Sequence, residues 1–429
     1  MKITVVGMGK IGLPLAVQFA RKGNQVFGSD INIHTVDMIN SGKEPFPGEK
    51  NLQVFLKEEV DSGRLVATLD TETAVSKSDV VIVVVPLFVD KNGVPDFGAM
   101  DNATKSIGKG LQKNTLVSYE TTVPVGTTRN RFASMIEIES GLKAGIDFSL
   151  VFSPERVLTG RVFDDLRKYP KLVGGIDEKS AQKGVDFYSQ VLDFDYRDDL
   201  SQANGVWNLG DLETSEMTKL AETTYRDVNI ALANQFALFA ESKSIDIMKV
   251  IESANSQNYS HIHKPGIAVG GHCIPIYPQM YLLNDPEASL VKEAREINLK
   301  MPSKVVEKLQ SIHGNLDGQR VVVLGAAYRG GVKETAFSGV FPTVEKLKST
   351  GASVFVHDPL FTDLELSNLG LVPYHYGDLI DAAIIQTDHE EYSQINPEHL
   401  PKIQTLIDGR GITERKNWKN VKHHILGRK

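Results

Sequence analysis

Among the 429 residues one cysteine, Cys273, stands in the segment Lys264-Pro265-Gly266-Ile267-Ala268-Val269-Gly270-Gly271-His272-Cys273-Ile274-Pro275. Glycines so close before a thiol let backbone N–H groups line an anion, or a developing oxyanion, beside the sulfur. A covalent nucleophile would use such a setting, although a lone cysteine also serves as a small buried hydrophobe. His272 beside it fits a structural hydrogen-bonder better than a base. A second set of residues lies between Asp211 and Ser242, a stretch without Gly or Pro and with apolar residues at helical spacing. There Thr223 stands one turn beyond Lys219, and Arg226 close to two turns, so the three share a helix face. Their cations can stabilise an alkoxide or oxyanion and lower the pKa of a thiol. With Glu222 they equally describe an exposed, salt-bridged surface.

A third pattern is Gly7-Met8-Gly9-Lys10-Ile11-Gly12, which follows the strand-like Ile3–Val6 and opens a helix, with Asp30 at the end of the next strand. The first glycine permits a tight turn, the second lets backbone amides approach a pyrophosphate, and the third lets helix and sheet pack closely. The helix N-terminus faces the phosphates with the positive end of its dipole. Asp30 can accept hydrogen bonds from both ribose hydroxyls and repels a 2′-phosphate, which favours NAD over NADP. Glu155 follows Ser153-Pro154 at the end of another predicted strand, where active residues of open parallel sheets gather. It also fits a plain acid near a helix N-terminus.

The elements that must position these groups follow from the hydrophobic pattern. Short β-branched runs at Ile3–Val6, Gln25–Gly28, Val80–Val85, Leu116–Tyr119 and Leu150–Phe152 alternate with amphipathic helical segments, which predicts a doubly wound parallel sheet. After a helical middle region, Val321–Leu324, Ser353–Val356, Ala382–Ile385 and Thr405–Ile407 predict a second, smaller open sheet. The two ends echo each other, Val5-Val6-Gly7 through Asp30 against Val323-Leu324-Gly325 through Asp358. The expected class is therefore α/β, with two Rossmann-like doubly wound parallel-sheet domains joined by a central helical region. The expected limits are 1–198 for the dinucleotide domain, 199–312 for the helical, dimerising region and 313–429 for the last α/β domain.

Lys+Arg 47 against Asp+Glu 54 gives a net charge of −7, so no general field exists to hold nucleic acid or an anionic membrane. One cysteine excludes a disulfide framework or a cysteine-rich metal site and fits the cytoplasm; no metal is expected. Val80 to Phe88, the longest apolar run, is far shorter than the roughly 20 residues that span a bilayer.

Gly270-Gly271-His272-Cys273-Ile274-Pro275 resembles the active-cysteine segment of the UDP-glucose/UDP-N-acetylmannosamine dehydrogenase family, and the histidine before the cysteine resembles its N-acetylhexosamine branch. Thr121-Thr122-Val123-Pro124-Val125-Gly126-Thr127-Thr128, Ser153-Pro154-Glu155-Arg156-Val157-Leu158, Lys219-Leu220-Ala221-Glu222 with Tyr225-Arg226-Asp227-Val228-Asn229, and Asp408-Gly409-Arg410 continue the resemblance along the chain. It implies an NAD-dependent, four-electron oxidation of the C6 alcohol of a UDP-N-acetylhexosamine (ManNAc or GlcNAc) through a thiohemiacetal and a thioester on Cys273. By the same resemblance Lys219 is the active-site lysine, Glu155 the base that directs water onto the thioester, and Thr122 touches cofactor and catalytic water. Arg156 and Val157 resemble a sugar-binding pair, Arg329 a UDP contact, and Arg410 an arginine that reaches the substrate of a neighbouring subunit, so a homodimer is implied.

The pattern breaks at several places. Thr223 replaces a usual asparagine, Tyr277 an aspartate, Gln257 and Tyr259 a substrate-binding His and Arg, Leu87 a threonine, and Ala336-Phe337-Ser338-Gly339 an Arg-Glu-Ser-Pro-like segment. These changes cluster in sugar and uridine contacts, where Gln257, Tyr259, Gly266 and Gly270 remain candidates. Three other functions stay open: a UDP-glucose 6-dehydrogenase, a single-step β-hydroxyacid dehydrogenase that needs neither Cys273 nor the residues after Arg320, and a non-catalytic sugar-nucleotide-binding protein.

Overall fold

Ile3-Thr4-Val5-Val6 and Val80-Val81-Ile82-Val83 are buried on both faces, as strands covered by helices on either side must be. Alternate residues feed two cores: Val5, Ile82, Leu116 and Val151 pack into one, and Val6, Val81, Val83 and Val117 into the other. The computed structural model describes residues 1–90 and 93–428, and the chain divides into two units, Met1–Ala221 and Glu222–Lys429.

The strands of the first unit are β1 (Lys2–Val6), β2 (Gln25–Ser29), β3 (Leu65–Thr68), β4 (Val80–Val83), the short antiparallel pair β5 (Phe88–Val89) and β6 (Pro95–Asp96), β7 (Leu116–Tyr119), β8 (Ser149–Phe152), β9 (Lys171–Gly175) and β10 (Val206–Asp211). Eight of them form one sheet in the order β10-β9-β8-β7-β4-β1-β2-β3. From β3 to β8 every pairing is parallel, and the order reverses direction beside β1 and β4, the place where open sheets bind ligands. The doubly wound α/β architecture expected from the sequence is present. One feature departs from a purely parallel sheet: β9 runs antiparallel to β8, and β10 follows β9. The first residue of β9 therefore lies beside the carboxyl end of β8.

The stretch free of Gly and Pro forms the helix Leu212–Ser242, within which one unit gives way to the next. In the second unit the helices Ile247–Asn255, Tyr277–Asn284 and Ser289–His313 precede β11 (Arg320–Leu324), β12 (Ser353–His357), β13 (Ala382–Ile385), β14 (Thr405–Asp408) and β15 (Lys422–Ile425). This sheet is parallel throughout, in the order β12-β11-β13-β14-β15. Ile267, from the cysteine segment, is fully buried in the core under it with Met301, Val305, Val323, Val340 and Ile407. Among the described residues no helix is long and apolar enough to cross a membrane, and no group of three or more His, Cys, Asp or Glu residues is arranged to hold a metal ion.

Candidate active site

The glycine string leaves β1 at its carboxyl end. Gly7 adopts φ +94°, a left-handed conformation that only glycine takes at little cost. A Cβ on Gly12 would lie 1.8 Å from the Gly7 carbonyl oxygen, so the helix Gly12–Arg21 can start against the turn only because Gly12 has none. Around Gly9, by contrast, a Cβ would meet no heavy atom within 4 Å, which leaves open space above the backbone. No side chain caps this helix; Leu13 N–H donates to the Gly9 carbonyl at 3.1 Å and Pro14 has no N–H, so what the helix offers an anion is the positive end of its dipole. An open cradle at Gly9 beside an uncapped helix N-terminus fits a pyrophosphate. Lys10 is exposed, Ile11 half-buried at the N-cap, and Asp30 half-buried at the end of β2. The Asp30 carboxylate accepts Met8 N–H at 2.8 Å and Asn32 N–H at 2.9 Å, which fixes its direction and leaves lone pairs on both oxygens for a ribose.

The last domain repeats this layout with a different outcome. Gly325 has φ +112° and Asp358 ends β12, as Gly7 and Asp30 do around β1 and β2. Asp358, however, is buried and takes N–H groups from Ala326, Ala327 and Leu360 and lies 3.1 Å from His389 Nε2. With its acceptors so engaged, this acid is not offered to a ribose.

Thr122 and Glu155 emerge at the same carboxyl edge as Gly7. Thr122 is buried just beyond β7, where Thr121 Oγ1 donates to the Val85 carbonyl at 2.8 Å. The loop that follows is held by Glu216, whose Oε2 and Oε1 accept the N–H groups of Gly126 at 2.6 Å and Thr128 at 2.9 Å. Burial pushes the Glu216 carboxyl up to about 7 against the effect of those two amides.

Glu155 is locked from several sides. Its Oε1 accepts the N–H of Arg156 at 2.6 Å and of Val157 at 3.2 Å, and its Oε2 the Lys171 ammonium at 3.0 Å. Lys171 also donates to Glu120 Oε2 at 2.6 Å, and Tyr188 Oη donates to Glu120 Oε1 at 2.6 Å. Burial alone would raise the Glu155 carboxyl, and Lys171 overrides it and holds it below the ordinary value. Burial pushes Glu120 the other way, above its ordinary range, even with Lys171 beside it. Lys219, 6 % exposed, donates from Nζ to the backbone carbonyl of Glu155 at 2.7 Å. An ammonium so enclosed is not part of an exposed salt-bridged surface. Arg156 Nη1 donates to the Pro170 carbonyl at 3.3 Å, and its guanidinium lies 5.8 Å from the centre of the Tyr169 ring. Val157 is half-buried against the core. The sequence analysis did not single out Glu120, Lys171, Tyr188 or Glu216.

In the second unit Cys273 is partly exposed, and its carbonyl accepts Ile276 N–H at 3.2 Å and Tyr277 N–H at 2.9 Å, so it opens the turn that leads into the helix Tyr277–Asn284. Glycine shapes its approach. Gly271 has φ +90° and donates its N–H to the Ala336 carbonyl at 2.8 Å. A Cβ on Gly270 would lie 2.6 Å from Tyr328 Cβ and 2.9 Å from the Phe337 carbonyl oxygen. The thiol segment is thus pressed against the loops after β11, and Phe337, in the divergent Ala336–Gly339 stretch, itself takes φ +50°. Farther back, Gly266 N–H donates to Asn234 Oδ1 at 2.8 Å, Asn234 bonds Asn298, and Asn298 and Arg295 both bond Asp227. His272 is exposed, with Nε2 3.6 Å from Glu334 Oε2.

Thr223 is fully buried, and Arg226 Nε donates weakly to the Glu222 carbonyl at 3.4 Å. Arg410 donates to the Gln386 carbonyl at 2.7 Å and the Tyr328 carbonyl at 3.3 Å, which places its guanidinium beside Gly266. Arg329 Nε donates to Tyr328 Oη at 3.2 Å. Gln257 and Tyr259 lie on an exposed turn, the tyrosine 91 % exposed.

Three consecutive family domains match this chain: the NAD binding domain of the UDP-glucose/GDP-mannose dehydrogenase family over residues 1–192, its central domain over 213–300 and its UDP binding domain over 322–415. The chain belongs to that family. The UDP-N-acetyl-D-mannosamine dehydrogenase of Pyrococcus horikoshii is 36% identical over 422 residues, covering 96% of each chain. The solved structure of UDP-D-ManNAc dehydrogenase from the same organism superposes with a TM-score of 0.87 at 32% identity, covering 100% of this chain and 99% of the other. A UDP-glucose dehydrogenase from Pyrobaculum islandicum superposes with a TM-score of 0.88 at 25% identity, covering 100% and 98%. The fold is therefore common to enzymes named for different sugars. The chain is an NAD-dependent dehydrogenase, and the match over 322–415 covers a domain for which a single-step β-hydroxyacid dehydrogenase has no use.

Proposed function

We propose that the chain oxidises the C6 alcohol of UDP-N-acetyl-D-mannosamine to the uronic acid, with Cys273 as the covalent nucleophile. The observation that carries this reading is the glycine-shaped segment that brings a partly exposed thiol to the head of a helix. The names of the relatives over the whole chain support the sugar. NAD, bound at Gly7–Gly12 and Asp30, supplies the acceptor for hydride, once from the alcohol and once from the sulfur adduct of the aldehyde.

The chain's own residues do the rest. The alcohol gives its proton to solvent water, and Lys219 stabilises the negative oxygen that forms then and again when the aldehyde is attacked. The Cys273 thiolate forms a C–S bond to the aldehyde carbon, and loss of hydride from that carbon leaves a thioester. Glu155 takes a proton from water as its oxygen adds to the acyl carbon. The C–S bond then breaks, returning the thiolate and releasing the carboxylate. Thr122 orients that water and the cofactor, Arg156 and Val157 meet the sugar, Arg329 meets the UDP, and Arg410 reaches the substrate of the second copy. Thr223, Arg226, Gln257, Tyr259, Gly266 and Gly270 complete the substrate contacts.

The proposal includes a homodimer in the cytoplasm. Tyr225, Leu232, Phe236 and Phe239 form an exposed apolar row on the helix Leu212–Ser242 that a second copy would cover. Cys273→Ala tests the covalent step: NADH binding should persist while acid formation from UDP-N-acetyl-D-mannosamine ceases, and normal turnover would refute it.

A further inference from the structure

Behind Glu155 lie three ionisable side chains that the reaction above does not use. Glu120 follows β7, Lys171 opens β9 and Tyr188 belongs to the helix Glu178–Val191; they are 1 %, 5 % and 0 % exposed. The Glu155 side chain, at 12 %, is the most exposed member of the cluster. Burying an ammonium between two carboxylates costs several kcal/mol in desolvation unless the geometry compensates. Here it does: Lys171 Nζ is 2.6 Å from Glu120 and 3.0 Å from Glu155. Glu120 is tied on its other oxygen by Tyr188, whose hydroxyl is 2.7 Å from Ser118 Oγ.

The consequence for Glu155 follows from counting acceptors. An ionised carboxylate accepts about four hydrogen bonds. Oε1 takes two backbone N–H groups and Oε2 takes Lys171, and the Glu120 side chain bonds the same carboxyl, so Glu155 is held on both oxygens. A small cavity of about 10 Å³, with Glu155, Arg156, Asp165, Tyr169 and Lys171 among its lining residues, has room for about one water.

We propose that Lys171 and Glu120 are positioning residues for Glu155: Lys171 clamps Oε2, and Glu120 and Tyr188 anchor the ammonium from behind, so that the carboxylate keeps one orientation in which it takes the proton of the water that cleaves the thioester. This inference rests on Glu155 being the base. The charges around it include Lys171 and Glu120, Lys219, which bonds the Glu155 carbonyl, and Arg156 and Asp165, which line the same cavity. Lys171 holds the Glu155 carboxyl below its ordinary value while burial pushes that of Glu120 above its own, so Glu155 is the more acidic of the two.

The test uses the full-length enzyme with UDP-N-acetyl-D-mannosamine and NAD. In Lys171→Met, steady-state NADH production should fall by about 10²-fold or more, the scale of a lost general base. About two NADH per chain should still form in a fast first phase, and intact mass should show the acyl group retained on Cys273. A merely structural defect would slow the first phase as well. The double variant Lys171→Met/Glu120→Leu removes the ammonium together with the more deeply buried carboxyl behind it, leaving Glu155 on its two backbone N–H groups, and it should retain the same adduct. Turnover within about threefold of the parent, or slow turnover without the adduct in either folded variant, overturns the inference. Glu155→Gln run alongside separates the two levels. Adduct there but not in the Lys171 variants defeats this inference alone, whereas none in Glu155→Gln defeats the assignment of the base on which it rests.

Discussion

Glu216→Gln should remove a pH-dependent term from the loop that carries Thr122. In the parent, the carboxyl is fully buried, caps the Gly126 and Thr128 N–H groups and is pushed up to about 7 from 4.5, mainly by burial. Between those two values the closed loop holds a proton on Glu216 that an opened, hydrated loop has released. Closure is therefore favoured below pH 4.5, and that advantage is lost as the pH rises towards 7. At about 1.4 kcal/mol per pH unit the gap amounts to about 3 kcal/mol, or a change of about 10²-fold in the opening equilibrium. Glutamine carries no such term, and its NH₂ opposes one of the two amides at a cost of about 1–3 kcal/mol at every pH. Hydrogen exchange of peptides spanning residues 123–133, parent against variant at each pH, cancels the intrinsic pH dependence of exchange. The parent's protection relative to the variant should shrink by about 3 kcal/mol between pH 4.5 and 7.5. A difference that stays constant across that range would refute the reasoning.

Three further outcomes follow from the geometry. Gly12→Ala places a Cβ 1.8 Å from the Gly7 carbonyl oxygen, so NAD affinity measured by fluorescence titration should fall at least about tenfold; a change under about threefold would contradict the cradle. Lys219→Met removes a buried ammonium, and turnover should fall about 10²–10³-fold, the usual loss when an oxyanion stabiliser is deleted; an effect of a few-fold would reduce the residue to packing. Asn234→Ala leaves Gly266 N–H and Asn298 Oδ1 without their buried partner, and the second unit should lose about 2–3 kcal/mol by thermal or urea unfolding, where a loss under about 0.5 kcal/mol would count against the anchor.

Local patterns with a strong physical signature were legible in the sequence. The short β-branched runs at Ile3–Val6 and Val80–Val83, the glycine string with its acid, and the Gly- and Pro-free stretch that becomes the helix Leu212–Ser242 carry their structure in a few neighbouring residues. β3, β9, β10 and β15 were not foreseen. Lys171-Leu172-Val173-Gly174-Gly175 ends in two glycines and begins with a charge, a poor strand by propensity, and it holds its place because β8 and β10 pair with it along both edges. The same strand explains why the Glu155 anchor escaped notice. In an all-parallel sheet the first residue of a strand lies at the edge opposite the active loops, whereas the reversal of β9 brings Lys171 beside Glu155. Glu120 could have been found, as an acid immediately after a buried strand and before Thr121-Thr122. The inward turn of Arg410 onto two carbonyls depends on contacts between residues distant along the chain, which no local pattern encodes.

The central claim is a four-electron oxidation through sulfur, and the most direct measurement is the ratio of NADH formed to UDP-N-acetyl-D-mannosamine consumed, followed to completion with product identified by mass. Two NADH per sugar, with the uronic acid as product and loss of the reaction in Cys273→Ala, is the expected result. One NADH per sugar with an aldehyde released, or two with Cys273 replaced, would contradict it.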